Sequence, residues 1–325
     1  MYFNHHGGRV LSKKRASPNS RNNLNMRMKP ILLLGKSGQV GWELQRSLAL
    51  LGPLVSLGRD ECDLAAPDRL RTVIRQASPR LIVNAAAYTA VDKAEQEPEL
   101  AFRINATAPG VMAEEARALG IPLVHYSSDY VFNGEKGDPY IEDDETDPQS
   151  VYGLGKLQGE KAIAAAGAQA VVFRTSWVFG EYGANFARTI LRLAGERDSL
   201  RVVADQIGAP TPAALIADVT AHAIARLDRD TWPSGAEIYH LTAHGWVSWH
   251  AFAVAIVSEA RQLGIELRLK PEAIEAIPTE AYPLPARRPK NSRLNCERLE
   301  RRFSLVLPDW KPYLDRVLRR RIPPG

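Results

Sequence analysis

From Ile31 onward, short runs of consecutive apolar residues alternate with longer stretches whose apolar positions recur three and four apart. The runs Ile31–Leu34, Val55–Leu57, Leu81–Asn84, Leu123–Tyr126 and Ala170–Arg174 have the length of strands. Because they are apolar with almost no alternation, they read as strands buried on both faces, as in a parallel sheet covered by helices. Between them Val40–Leu51, Asp68–Gln76, Leu100–Leu119 and Val151–Ala166 carry the helical period. Strands alternating with amphipathic helices are βαβ units, so the predicted class is α/β, a doubly wound parallel sheet.

After residue 205 the pattern loosens. Pro210, Pro212, Pro233, Pro271, Pro278, Pro283, Pro285 and Pro289 cut the chain into short pieces around helices expected near 213–227 and 248–263. The expected organisation is a main domain over 30–205 and a smaller C-terminal substrate lobe over 206–325, some of whose segments return to the first domain.

Composition adds exclusions. The 325 residues are 45% hydrophobic and 24% charged, the balance of a globular protein with ample core. No run approaches the roughly eighteen apolar residues a membrane span needs, so no membrane partner is expected. Two distant cysteines, Cys62 and Cys296, argue against a disulfide framework or structural zinc and for a reducing cytoplasm. The formal charge of +5 raises the question of nucleic acid. Residues 1–29 hold seven Lys or Arg and no acid, so the remainder carries −2. The basic character therefore belongs to a leader that reads as disordered, with Met26 or Met28 as an alternative start, and no nucleic-acid partner is expected.

Chemistry enters at Gly35-Lys-Ser-Gly38-Gln-Val-Gly41, where an apolar strand runs through spaced glycines into a helix. A tight turn, close backbone approach to a pyrophosphate and close helix packing all call for glycine there, which makes the domain Rossmann-type and dinucleotide-binding. The spacing Gly-x-x-Gly-x-x-Gly departs from the commoner Gly-x-Gly-x-x-Gly. Where a ribose-binding acid usually ends the second strand, this chain has Gly58-Arg59. An arginine at that edge suits a 2′-phosphate, favouring NADPH, with NADH still open; a plain surface arginine reads almost as well.

Tyr152 and Lys156 stand at i and i+4, on one helix face. An ammonium beside a phenol stabilises its phenolate and makes it a useful proton donor at neutral pH, although the same spacing also suits a solvated helix pair. Position favours catalysis, since the pair follows His125-Tyr-Ser127-Ser128-Asp129-Tyr-Val-Phe132, whose hydroxyls end the fourth strand. Ligands bind at such carboxyl ends. Ser128 is the candidate partner of a carbonyl under reduction, and Asp129 either joins it or organises the loop.

With these motifs together, the chain resembles the extended short-chain dehydrogenase/reductase family, and within it the branch that reduces the C4 ketone of dTDP-linked 4-keto-6-deoxy sugars. The resemblance covers residues 30 to about 310. It is also carried by Val83-Asn-Ala-Ala-Ala-Tyr-Thr-Ala-Val-Asp-Lys-Ala-Glu95, Arg174-Thr-Ser-Trp-Val-Phe-Gly180, Asp205-Gln-Ile-Gly-Ala-Pro-Thr211 and Arg288-Pro-Lys-Asn-Ser-Arg-Leu294. It implies that Gly38, Gln39, Val40, Asp63, Leu64, Ala86, Ala87 and Tyr88 border the cofactor, with Gly35 at the turn. It further implies that Ser128, Asp129 and Trp177 meet the sugar nucleotide, that Tyr152 is the acid, and that Lys156 holds the ribose and tunes Tyr152. Arg288 offers a planar fork suited to the diphosphate. Some relatives dimerise through acidic residues and a divalent ion, which keeps a homodimer open; Arg319-Arg320-Arg321 is a poor ligand set, so no metal is expected. Two alternatives stay open: an epimerase or dehydratase on the same scaffold, and a non-catalytic NADP-binding regulatory subunit.

Overall fold

The computed structural model describes residues 29–227 and 231–320. The predicted leader, with Met26 and Met28, lies outside the described residues except for Lys29. The first half runs β1 (Ile31–Leu34), α1 (Gln39–Leu48), β2 (Leu54–Leu57), α2 (Pro67–Ala77), β3 (Leu81–Asn84), α3 (Val91–Ala94) and α4 (Pro98–Phe102). It continues through α5 (Ala108–Leu119), β4 (Leu123–Ser128), α6 (Val151–Ala166) and β5 (Ala170–Thr175). The second half holds β6 (Val178–Phe179), α7 (Phe186–Glu196), β7 (Leu200–Val203), β8 (Ile207–Gly208), β9 (Thr211–Pro212) and α8 (Ala213–Arg226). After it come β10 (Ala236–His240), β11 (Val247–Ser248), α9 (Trp249–Gln262), β12 (Ile274–Ile277), α10 (Glu297–Phe303) and α11 (Lys311–Arg319).

Six strands form one parallel sheet in the order β10-β5-β4-β3-β1-β2. The apolar runs explain it, because every position of β1 is buried and successive side chains face opposite layers. Ile31 and Leu33 pack with Leu44 and Leu48 of α1 and Leu215, Ile216 and Val219 of α8. Leu32 and Leu34 pack with Leu70 and Ile74 of α2, Met112 of α5 and Ile163 of α6. The strand order reverses between β1 and β3, which opens a crevice outside their carboxyl ends.

Three expectations need correction. The helix Val40–Leu51 begins at Gln39 and is helical only to Leu48, followed by a 3₁₀ turn over Ala49–Leu51. The stretch Leu100–Leu119 is not one helix: α4 passes through a π turn, Arg103–Thr107, before α5. Pro109 has no N–H for the carbonyl of Asn105 four residues back, and its ring crowds that carbonyl, so regular α geometry breaks there. Third, Ala236–His240 is a strand the sequence pattern did not reveal, paired with β5 at the sheet edge. Its exposed Glu237 interrupts the apolar run that marked the other strands.

The chain beyond residue 176 builds a lobe from β7 paired with β12, β8 paired with β11, and α7 beside α9. It also returns to the sheet twice, through α8 on the face of α1 and through β10 at the edge. No helix of the described residues is long and apolar enough to cross a membrane.

Candidate active site

The chain leaves β1 at Gly35, with φ at 90°. A Cβ there would lie 2.6 Å from the Ala86 amide nitrogen, so only glycine lets this turn pass so close to the loop after β3. At Gly41, one turn into α1, a Cβ would stand 1.9 Å from the Gly35 carbonyl oxygen. Gly38 precedes α1 in extended conformation with no side-chain cap on the first amides. A cradle that a single methyl would fill, opening onto an uncapped helix start, fits a dinucleotide pyrophosphate.

The neighbouring candidates vary. Val40 packs against the core, Leu64 is buried, and Asp63 Oδ1 accepts the Ala65 amide at 3.0 Å. Gln39 is tied to the loop before α7, its Oε1 accepting from Asn185 Nδ2 at 3.0 Å. Lys36 pairs with Glu61 at 2.6 Å beyond β2, whereas Arg59 is exposed and has no ion pair among the described residues.

Beside the glycine turn a buried polar chain fixes the loop holding Ala86, Ala87 and Tyr88. Asn84 Oδ1 accepts the Ala86 amide at 3.1 Å, and its Nδ2 meets His125 Nδ1 at 3.1 Å. His125 Nε2 lies 3.5 Å from Lys156 Nζ. Burial, then the charge of Lys156, holds the His125 imidazole well below its ordinary range, so it is neutral. Tyr88 is clamped at both backbone groups by the Asn105 amide, each bond 2.9 Å, and its hydroxyl donates to Glu97 at 2.8 Å.

The candidate reacting groups gather at the end of β4. Ser128 Oγ donates to Asp129 Oδ1 at 2.9 Å and accepts the Tyr130 amide at 3.2 Å. Burial pushes the Asp129 carboxyl up to about 6, against the pull of the Ser292 and Ser128 hydroxyls. Its Oδ2 closes no hydrogen bond of normal geometry among the described residues. The helix α6 begins against this turn: Ser150 Oγ accepts the Gly153 amide at 3.1 Å and Glu95 Oε1 accepts the Val151 amide at 2.9 Å. Gly153 allows the approach, since a Cβ there would lie 2.2 Å from the Tyr130 carbonyl oxygen.

Tyr152 thus meets Tyr130 edge to face, with ring centroids 5.4 Å apart. Burial raises its phenol to about 12, with the Ser128 hydroxyl pulling it back down, so it is protonated at neutral pH. Burial lowers Lys156 to about 8, opposed by the charge of Glu160 one turn along α6. Lys156, expected to tune Tyr152, forms no hydrogen bond with it among the described residues. The shared helix face holds, but the ammonium donates to the Tyr126 carbonyl at 2.6 Å, with His125 Nε2 next at 3.5 Å.

A cavity of about 1290 Å³ opens beside Tyr130. Phe186, Ile190, Leu193, Leu200, Val202 and Trp249 are among its lining, together with Lys136, Arg201, Arg287, Arg288, Lys290 and Arg293, which outnumber Glu135 and Glu280 there. Such a lining suits an anionic ligand with a flat, partly apolar group. Trp177, expected at the ligand, sits one ring behind: it stacks on Trp249 at 3.5 Å and 10°, and it is Trp249 that faces the cavity. Its φ of 48° is rare for a non-glycine residue and is held by the Thr211 amide donating to its carbonyl at 3.1 Å. Arg288 does line the cavity, yet its guanidinium is paired with Asp92 through two bonds of 2.6 Å.

Sequence reasoning gave no role to Asp92, Glu95, Asn105, His125 or Trp249. Asp92 and Glu95 lie inside the Val83–Glu95 motif already noted, and Asn105 is signalled by Pro109 four residues on. His125 and Trp249 carried no pattern that separates them from core residues.

An open parallel sheet with a glycine turn at its switch point and a Ser, Tyr and Lys set across from it defines an extended short-chain dehydrogenase/reductase. The chain belongs to the family described as RmlD substrate binding domain, whose sequence model matches residues 28–322. It is 51% identical over 285 residues to the dTDP-4-dehydrorhamnose reductase of Burkholderia thailandensis, covering 86% of this chain and 95% of that one. It is also 51% identical over 293 residues to that of Escherichia coli K12, covering 89% and 96%. The crystal structure of dTDP-4-dehydrorhamnose reductase from Bacillus anthracis in complex with NADP superposes with a TM-score of 0.82 at 31% identity, covering 90% of this chain and 99% of that one.

Proposed function

We propose that the chain reduces the C4 ketone of dTDP-4-dehydro-L-rhamnose to the alcohol of dTDP-L-rhamnose with NADPH, supplying rhamnose for surface polysaccharide. The observation that carries this reading is the packing of the Tyr152 phenol edge to face on Tyr130, beside Ser128 at the carboxyl end of β4, with Tyr130 in turn lining a cavity that holds several basic residues. Relatives half identical in sequence bear the name of this activity. The glycine cradle and an Arg59 without an ion pair among the described residues fit NADPH.

The cofactor, when bound, supplies the hydride for the carbonyl carbon. Tyr152 gives its proton to the oxygen as negative charge develops there, and Ser128 holds that oxygen in line. Lys156 places a positive charge one helical turn from Tyr152, which favours the phenolate left behind. Asp129 orients Ser128 by accepting its hydroxyl. The reading places the enzyme in the cytoplasm, where Cys62 and Cys296, both free and buried, remain reduced.

The test is oxidation of NADPH and NADH followed with dTDP-4-dehydrorhamnose and with a UDP-linked analogue. Steady oxidation of NADPH with the dTDP sugar is expected, whereas an epimerase or dehydratase would consume none. Tyr152→Phe should lower kcat by about 10²–10⁴-fold with KM for the sugar nucleotide little changed. Turnover by that variant close to wild type would remove Tyr152 from the acid's role.

A further inference from the structure

Asp92 sits on α3, a few residues after the loop Ala86–Tyr88, yet its bonds reach two residues that line the cavity, Ala286 and Arg288. Its Oδ1 accepts from Arg288 Nη1 at 2.6 Å and from the Ala286 amide at 3.2 Å, and its Oδ2 accepts from Arg288 Nη2 at 2.6 Å. Arg288 Nη1 also donates to the Ala286 carbonyl at 2.8 Å. A guanidinium has five N–H donors in a fixed plane. Both hydrogens of Nη1 and one of Nη2 are engaged, which leaves the Nε–Nη2 edge, itself a two-donor fork of the kind that grips phosphate oxygens side by side. Arg288 lines the cavity, and its side chain is 18% exposed against 37% for Asp92.

We infer that Asp92 is a positioning residue for the sugar nucleotide: it holds the Arg288 guanidinium so that the Nε–Nη2 edge meets the diphosphate, and it ties that edge to the segment leading from the cofactor loop. The inference rests on the reading of the cavity as a nucleotide-sugar site. The guanidinium in turn holds the Asp92 carboxyl below its ordinary range, so the pair stays ionised across neutral pH. An arginine without this partner would sample many rotamers, and fixing it beforehand removes an entropy cost from binding.

The experiment uses the full chain and two readouts, steady-state kinetics and calorimetric titration with dTDP, which needs no turnover. Asp92→Asn keeps the shape but loses the charge and one acceptor. It should raise both the KM for the sugar nucleotide and the Kd for dTDP about tenfold, with kcat within about twofold and KM for NADPH unchanged. Asp92→Glu should recover a good part of the loss. In an Arg288→Ala background the Asp92→Asn change should add nothing, because it acts only through that arginine. Additive losses in the double variant, equal losses toward NADPH, or no change in dTDP binding would each overturn the inference. If the wild-type chain binds dTDP but oxidises no NADPH, the proposed reaction fails while the dTDP titrations still decide the role of Asp92.

Discussion

At the turn after β1 the proposed ligand site is made by side chains that are absent, while around Ser128, Tyr152 and Arg288 it is made by side chains that are present and engaged with partners. Gly35, Gly41 and the alanines after Asn84 clear a path for a ligand and bring no titratable side chain of their own, the nearest being the exposed Lys36–Glu61 pair. On the other side, Arg174 and Glu160 form a fully buried ion pair, with Nε and Nη2 at 2.9 and 2.7 Å from the two carboxylate oxygens. Lys156 and Asp129 are buried too, the first lowered to about 8 and the second raised to about 6. The first region tolerates no added atom. The second tolerates no lost partner, since a buried charge left alone costs far more than the pair contributes. The cofactor side should therefore answer to bulk and be indifferent to pH, and the substrate side should answer to both deletion and pH.

The sharpest break in that contrast is Glu160→Ala. It leaves the Arg174 guanidinium buried over the Phe132 ring, 5.1 Å from its centroid, with the Glu142 carbonyl as its remaining acceptor at 3.3 Å. A destabilisation of about 3–5 kcal/mol is expected from urea midpoints, and a loss under about 1 kcal/mol would mean that the pair is hydrated in solution. Glu160 also supports the charge on Lys156, so the alkaline fall in kcat/KM should move to lower pH in a less drastic Glu160→Gln variant.

Gly35→Ala probes the other side. Its methyl would press on the Ala85–Ala86 backbone, which has no side chain to swing away, at a φ that alanine disfavours. Overpacking and backbone strain together should cost about 2–5 kcal/mol. NADPH binding should weaken by at least about tenfold while dTDP affinity holds, since only the turn is blocked. Equal losses in the two titrations would show that the regions are not built separately.

The same contrast explains what the sequence made legible. Steric demands on backbone write themselves into residue identity, so the glycine turn and the sheet it leaves are readable in the chain alone. The helical repeat likewise put Tyr152 and Lys156 on one face. Patterns of that kind reach one helical turn or one strand. They do not reach from Asp92 to Arg288, 196 positions apart, nor do they tell that the Lys156 ammonium meets the Tyr126 carbonyl. The edge strand Ala236–His240 escaped for a related reason: its partial exposure weakens the apolar run on which strand reading depends.

The mildest test isolates pH, through Asp129→Asn. Burial raises this carboxyl to about 6 from its ordinary 3.8. An acid whose folded pKa is raised contributes its stability in full below the unfolded pKa and loses it as pH rises through the folded one. From Asp129 alone the wild type should thus lose about 3 kcal/mol between roughly pH 4 and pH 7, because holding a proton that the unfolded chain has released is worth about 1.36 kcal/mol for each pH unit between the two pKa values. The asparagine variant has no such group, so its urea midpoint should overtake that of the wild type as pH rises from about 5 to about 8, while kcat falls because Ser128 loses its charged acceptor. A wild-type advantage that stays constant over that range would show that the carboxylate is already well solvated. Asp129 would then belong with the pH-indifferent turn after β1 rather than with the buried groups around Ser128.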